Sequence, residues 1–478
     1  MGAFGVMFLL RSMLAGNSRI IPFSLGIALT FAQTSVSLAE TINSALASAY
    51  NNNPTLNAQR AATRAVDEGV PIAKSGLRPT ITANANIGLS RTVTNGSFIS
   101  GGTVITGSTI NLAPGSFGVV INQTLWDSYL TKNNVNAAQA AVSASQQALI
   151  NAEQNILFNG ATAYLDVLRD RSILAFQRKS LAFLEEQVRS EQTRFEVGEA
   201  TRTDVAQARA SRAASQAAVS LASANLKSSE AVYVQIIGKK PTKLSPVKGV
   251  KGKFPTSIEV GMNIAKQEHP AIKSTEFLVD QAIFTVKSAE SALLPRVDLQ
   301  ASANRNFDQS VAASVTENQS VTATLTVPIY QGGAQRGQIR QNKETLGQTR
   351  IQVDESVASV RAAVVSSYSQ YQGAKASMAA NQEQLKAANL ALDGAVEERK
   401  VGQRTTLDVL DTQTQVINAQ IALANSSRDL KVAGYAIMSA IGRLNSKRLG
   451  LKVATYKPKV HQKAVEDKWF GLRVPSGN

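Results

Sequence analysis

The chain has 478 residues, no cysteine, two histidines (His269 and His461) and a formal net charge of +16. The missing thiols exclude a disulfide framework and cysteine-based metal or nucleophile sites, and two histidines leave little for a catalytic or zinc-binding constellation. The positive balance suits an anionic membrane surface or nucleic acid, but the basic runs hold almost no aromatics for base stacking, so nucleic acid is set aside.

In residues 1–39 the only charges are Arg11 and Arg19; the apolar run IIPFSLGIALTFA comes next, and SLA stands just before Glu40. The pattern reads as a cleaved secretory signal peptide, 1–39, with the mature chain starting near Glu40. A retained anchor is the competing reading; Pro22 and the polar QTSVS keep the apolar run short of a span. After Glu40 no stretch reaches the roughly 20 apolar residues of a transmembrane helix, so a membrane-spanning form must be a barrel.

The remaining chain is duplicated. Pro54 and Pro79 match Pro270 and Pro295 at an offset of 216, whereas TLWDS (Trp126) matches PIYQG (Tyr330) at an offset of 204. The difference of twelve lies between Pro79 and Trp126, in the Gly/Ser/Thr-rich NGSFISGGTVITGSTINLAPGS, which reads as an exposed loop. The first repeat, 40–256, contains a helix 41–78, strands at about 80–90 and 117–126 and a long helix at about 127–197. A tip 198–203, a return helix 204–237 and a basic equatorial segment 238–256 complete it. The second, 257–445, contains a helix 257–294, strands at about 296–305 and 321–330, a long helix at about 333–400, a tip 401–406 and a return helix 407–442. Residues 446–478 form a tail that either is disordered or wraps the middle of the molecule.

TITANANIGLS and VTATLTVPI alternate apolar and polar residues with period two, over a length that crosses a bilayer as a tilted strand. A half-buried soluble sheet and a wet-lumen barrel both fit that alternation. Four strands cannot close a barrel whose minimum is about eight, so a barrel needs several copies of the chain. Val135, Val142, Leu149 and Ile156 recur every seven residues and match Ile339, Leu346, Val353 and Val360, the signature of supercoiled helices. From Trp126 to Gly198, and from Tyr330 to Gly402, there are 72 residues; as helix each span is roughly 108 Å, too long for a compact domain. The return path is shorter and interrupted, so half-length helices stacked end to end are expected alongside each long one. The nonapeptides VGEATRTDV (197–205) and VGQRTTLDV (401–409) are then the turns at the far end.

Nothing argues for an enzyme, a cofactor or a metal. YQGGAQRGQ (330–338) lacks the Lys-Ser/Thr of a phosphate loop, His269 before Pro270 reads as a helix-ending position, and Glu185 and Glu186 have no partner base.

Signal, duplicated strand pairs, continuous and interrupted helices, AYLDVLRD (163–170) and both nonapeptides together resemble the TolC family of trimeric outer-membrane channels over roughly residues 40–445. The resemblance implies a mainly α fold with a membrane β-barrel part: a homotrimer whose twelve-stranded barrel continues into a long periplasmic α-helical coiled-coil barrel. It implies a passive exit duct of a tripartite efflux pump or a type I secretion system in a Gram-negative outer membrane. The partners are then outer-membrane lipid, a periplasmic adaptor (membrane fusion) protein docked at Val197, Gly198, Val401 and Gly402, and an inner-membrane RND, ABC or MFS transporter. By that likeness Thr203 and Asp204 of the first tip face Arg404 of the second and form a gate, while Asp408 and Asp411 constrict the entrance. The family's best-known gate has a tyrosine where this chain has Arg399, from which an ion pair with Asp204 is expected.

Two local arguments bear on those residues. Asp408 and Asp411 lie three apart on a helix and share a face, so threefold symmetry would stack them as two carboxylate rings that attract cations; as solvated acids near a helix N-terminus they need no such role. Thr203 or Asp204 can equally cap the helix beginning there. The rival from another class is a soluble periplasmic coiled-coil adaptor or scaffold protein with a conventional sheet.

Overall fold

The computed structural model describes residues 39–247, 254–310 and 313–475. The predicted signal peptide lies outside the described residues except for Ala39, as does the middle of the basic segment. The first repeat runs α1 (Ile42–Asn52), α2 (Pro54–Asp67), α3 (Gly69–Lys74), β1 (Thr80–Ile87), β2 (Ser90–Ser100), β3 (Thr103–Leu112), β4 (Gly115–Trp126), α4 (Leu130–Glu196) and α5 (Arg202–Ile237). The second runs α6 (Ile258–Glu268), α7 (Pro270–Ser291), β5 (Arg296–Ser310), β6 (Ala313–Thr326), α8 (Ala334–Lys400) and α9 (Thr406–Ala440), with α10 (Pro458–Val465) in the tail.

The helix expected at 41–78 is broken, and its counterpart at 257–294 breaks at the matching place. Asn53 ends α1 in extended backbone and caps α2, its side chain accepting from the Thr55 and Leu56 amides, with Pro54 in the first turn. His269 does the same for α7: its Nδ1 accepts from the Ala271 amide ahead of Pro270. That bond requires an unprotonated Nδ1, and burial pulls the imidazole below its ordinary pKa.

The two long helices have the same length, 67 residues, or roughly 100 Å at 1.5 Å per residue. No described helix is long and apolar enough to cross a membrane. Val142, Leu149 and Ile156 of the heptad run are buried, while Val135 is only partly covered. In α8, Ile339 and Val360 are buried, but Ile351 and Leu390 stand exposed, so one chain leaves this helix without a complete set of neighbours.

Halfway along, the short helices meet across the repeats, in an order different from the expected one. α5 ends not against α6, its successor, but against the α1–α2 junction: Asn53 Nδ2 donates to the Ile236 carbonyl at 2.9 Å. Correspondingly α9 ends at the α6–α7 junction, where Gly442 lies against His269. Ala45, Leu46, Tyr50, Tyr164, Tyr233 and Ile237 pack together at the first junction, and Ala265, Ile272, Val364, Tyr368, Ile437 and Ile441 at the second. The basic segment turns aside here and pins the chain at Glu40. Ser245 donates from its amide to the Glu40 carbonyl, Lys239 Nζ pairs with Glu40 Oε1 at 3.0 Å, and the buried Tyr164 hydroxyl lies 2.7 and 2.8 Å from the Glu40 and Ser245 carbonyls. Burial pushes the Tyr164 phenol up to about 12.

At one end the chain forms an antiparallel sheet in the order β1-β4-β5-β6. Its register sorts the side chains, because residues directly opposite each other share a face. One face carries the rows Ile81–Ile121–Ala301–Val321 and Ala83–Val119–Ala303–Gln319; the other carries Thr80–Asn122–Gln300–Thr322 and Asn84–Gly118–Asn304–Asn318. Ile81 and Val321 are largely exposed, so the apolar face lies uncovered on the single chain. β6 starts earlier than the expected 321 and ends at Thr326 instead of 330, since Pro328 has no amide to continue the ladder. The stretch expected as a loop is instead the β2–β3 hairpin, folded over Gly101 and Gly102, both at positive φ as a two-residue hairpin turn requires.

Candidate functional site at the helical tip

The nonapeptide is a helix stop joined to a helix start. α4 ends at Glu196; Gly198, at φ 82°, donates to the Phe195 carbonyl, and the Glu199 amide reaches back to Arg194 O at 2.7 Å. Thr201 then caps α5: its hydroxyl accepts from the Asp204 amide while Asp204 Oδ2 accepts from the Thr201 amide at 2.9 Å and from its hydroxyl at 2.7 Å. The second tip repeats the device with Gly402 at φ 78° and the reciprocal pair Thr405–Asp408. V-G-x-x-T-x-x-D-V is therefore the sequence of a tight αα-hairpin, and its recurrence results from there being one tip per repeat.

Within the chain this geometry separates the expected gate residues. Asp204 is occupied by Thr201, and Thr203 is exposed on the first turn of α5 instead of capping it. Arg404 pairs with Glu398 at 2.9 Å and lies 3.9 Å from Asp408 of its own tip, not against Asp204. Arg399 also misses Asp204; its guanidinium pairs with Glu191 of α4 and donates to Gln187 Oε1 at 3.3 Å, about two and three turns back from the tip in the seam between the long helices. The Glu191 side chain is 1 % exposed and that of Arg399 12 %, so both charges are largely withdrawn from water and depend on each other. Asp411 is exposed and has no ion pair among the described residues; Val197 and Val401 project at the apex, and Gly198 and Gly402 have open space around them.

Sequence reasoning missed Thr201, Thr405, Glu191 and Glu398. The two threonines carry a readable signal, the Thr-x-x-Asp spacing of a capping box; the two glutamates carry none, because the pairing is tertiary. The Thr201 amide and hydroxyl hold the Asp204 carboxyl below the usual range; the Thr405 amide and hydroxyl, then Arg404, do so for Asp408. The caps therefore contribute stability at neutral pH and lose it only as acid protonates these carboxylates through their depressed folded values. Thr405→Ala is expected to weaken the start of α9 by about 0.5–2 kcal/mol, read as faster amide exchange confined to its first turn.

Among the described residues no cluster of three or more His, Asp or Glu side chains is placed to hold a metal. The molecule offers a two-faced sheet, very long helices and a charged hairpin tip. Comparison with known proteins agrees with that inventory. The model of a family described as outer membrane efflux protein matches residues 45–239 and 262–443, one stretch in each repeat. The chain is 45% identical over 442 residues to outer membrane efflux protein BepC of Brucella suis, covering 92% of this chain and 93% of that one. It is 26% identical over 457 residues to outer membrane protein TolC of Escherichia coli, covering 92% and 90%. The fold matches the crystal structure of the outer membrane protein VceC of Vibrio cholerae with a TM-score of 0.69 at 16% identity, over 84% of this chain and 96% of that one. The chain belongs to the outer membrane efflux protein family, as a channel protein of the Gram-negative outer membrane and not an enzyme.

Proposed function

We propose that three copies join β1 of one chain to β6 of the next, closing a twelve-stranded barrel, and that their helices continue it as a periplasmic tunnel. The duct is a passive exit for an efflux pump or a type I secretion system. The observation that carries this reading is the sheet with two unpaired edges, one uncovered apolar face and one polar face. In water the apolar face is a liability; in a closed barrel it meets lipid while the polar face lines a wet lumen. Val297 to Phe307 of β5 rises roughly 35 Å, which at the tilt of barrel strands matches the hydrocarbon core. The exposed side of α8, which carries Ile351 and Leu390, is covered in the same step by helices of the neighbouring chain.

The tips are the gate and the docking point. Val197, Gly198, Val401 and Gly402 present a small apolar apex to a periplasmic adaptor, and energy comes from an inner-membrane RND, ABC or MFS transporter, since a tunnel has no source of its own. Thr203 and Asp204 of one chain and Arg404 of another close the tunnel, Arg399 serves it from within by tying α8 to α4 through Glu191, and the threefold rings of Asp408 and Asp411 set its charge preference.

Planar-bilayer recording of the purified trimer tests this. The wild type is expected to give a small cation-selective conductance, and Asp408→Ala/Asp411→Ala to lose the selectivity. A folded, detergent-free monomer without channel activity would replace the duct by a soluble scaffold.

A further inference from the structure

The tail does not stop at the middle of the molecule. Ser446 first binds Glu153 of α4, and the Tyr456 amide donates to the Tyr50 hydroxyl. α10 then runs along α2, where His461 Nδ1 lies 2.8 Å from Asp67 Oδ2, both residues buried. Beyond α10 the chain is seized at the foot of the sheet. Lys74 Nζ pairs with Asp467 Oδ1 at 2.7 Å, Arg78 donates to the Lys468 carbonyl at 3.0 Å, and the Arg78 guanidinium lies 4.6 Å from the centre of the Trp469 ring. Arg78 stands two residues before the first residue of β1, so Trp469 is held where helix gives way to sheet.

Residues 470–474 are uncovered. Lys468 Nζ donates to the Arg473 carbonyl across a bend at Gly471, and this bend presents Phe470 86 % exposed and Leu472 fully exposed, with Val474 beside them. Phe470 leans on the exposed Trp469 ring, 6.3 Å between centroids, and with Leu472 and Val474 it turns large apolar surface to water, which is costly. Their position supplies a partner. Trp126, Tyr129 and Tyr330 are also exposed at this end of the sheet, where barrel proteins place an aromatic girdle at the lipid headgroups. An indole beside two cations, Lys468 and Arg473, with apolar residues between them, is the composition that settles at that interface.

We propose that residues 468–474 form a membrane-interface anchor that inserts Trp469, Phe470 and Leu472 into the periplasmic leaflet of the phospholipid bilayer around the barrel. The anchor rests on the reading that the sheet spans that bilayer, and it adds a lipid contact outside the strands. Lys74 and Arg78 act as positioning residues that deliver the bend to the surface.

The chain's two tryptophans, Trp126 and Trp469, make the test direct. Wild type and Trp469→Phe trimers are reconstituted in phosphatidylcholine vesicles with and without bromines at shallow acyl positions. The emission lost in Trp469→Phe belongs to Trp469, and it is expected to be strongly quenched in brominated vesicles. If that component is unquenched while Trp126 is quenched, water or a neighbouring chain covers the tail and the anchor is overturned. If neither is quenched, the sheet is not in the bilayer and the duct falls with it. The cysteine-free chain offers an independent second reading: a polarity-sensitive dye on Leu472→Cys should emit as in lipid and be quenched by the same bromines, and a water-like, unquenched spectrum overturns the proposal.

Discussion

Arg399→Ala is expected to lower the stability of the tip-side helices by about 3–5 kcal/mol, because it strands the buried Glu191 carboxylate without a partner. The pair ties α8 to α4, the two long helices of one chain, so its loss also frees the hairpins to splay. A larger single-channel conductance than wild type should accompany the lowered melting temperature. The double variant Arg399→Ala/Glu191→Gln separates the two effects. It removes the stranded charge and should recover most of the stability, yet the tie is still cut and the conductance should stay high. Unchanged melting in the single variant would show that Glu191 finds water or another cation, and the tie would have to be sought elsewhere.

Gly442→Ala should be the most damaging glycine substitution in the helical part. A Cβ there would stand 2.8 Å from the His269 Cα and 3.2 Å from its amide nitrogen, both backbone atoms that cannot swing aside, and the residue sits at φ 77°. Left-handed strain and overpacking together cost about 2–5 kcal/mol. The cost falls where α9, α6 and α7 meet, next to the fork in which Arg443 binds both oxygens of Glu268 at 2.8 and 2.5 Å. Gly402→Ala is the control: it has a similar φ of 78° but open space around it, so only the roughly 1–2 kcal/mol of left-handed strain remains. A thermal melt of both variants checks the ranking; equal losses would mean that backbone strain, not the junction, decides.

These two glycines also mark the limit of what the sequence discloses. Both stand at the end of an apolar-periodic run, and their role as helix stops is legible from that alone. Only the fold reveals that one meets a backbone and the other meets solvent. The duplication is legible because repeated prolines and nonapeptides are local, and so are the long helices and the alternation of the strands. The order in which the short helices meet is not, since Asn53 and Ile236 lie 183 positions apart and no periodicity links them. Arg399 invites a partner at the other tip, because a family likeness places residues but not their side-chain contacts within one chain. The β2–β3 hairpin carries a signal, Gly101-Gly102 between alternating residues, that the abundance of Gly, Ser and Thr conceals.

That hairpin leaves the sheet at the end opposite the helices, which in the proposed duct is the outer end. It belongs to neither the spanning rows nor the tunnel, and the second repeat manages without it. Residues there can change, lengthen or carry a grafted epitope at little more than the cost of closing a longer turn. The outermost turn of the protein can thus vary in length and sequence while the strands and helices beneath it keep theirs.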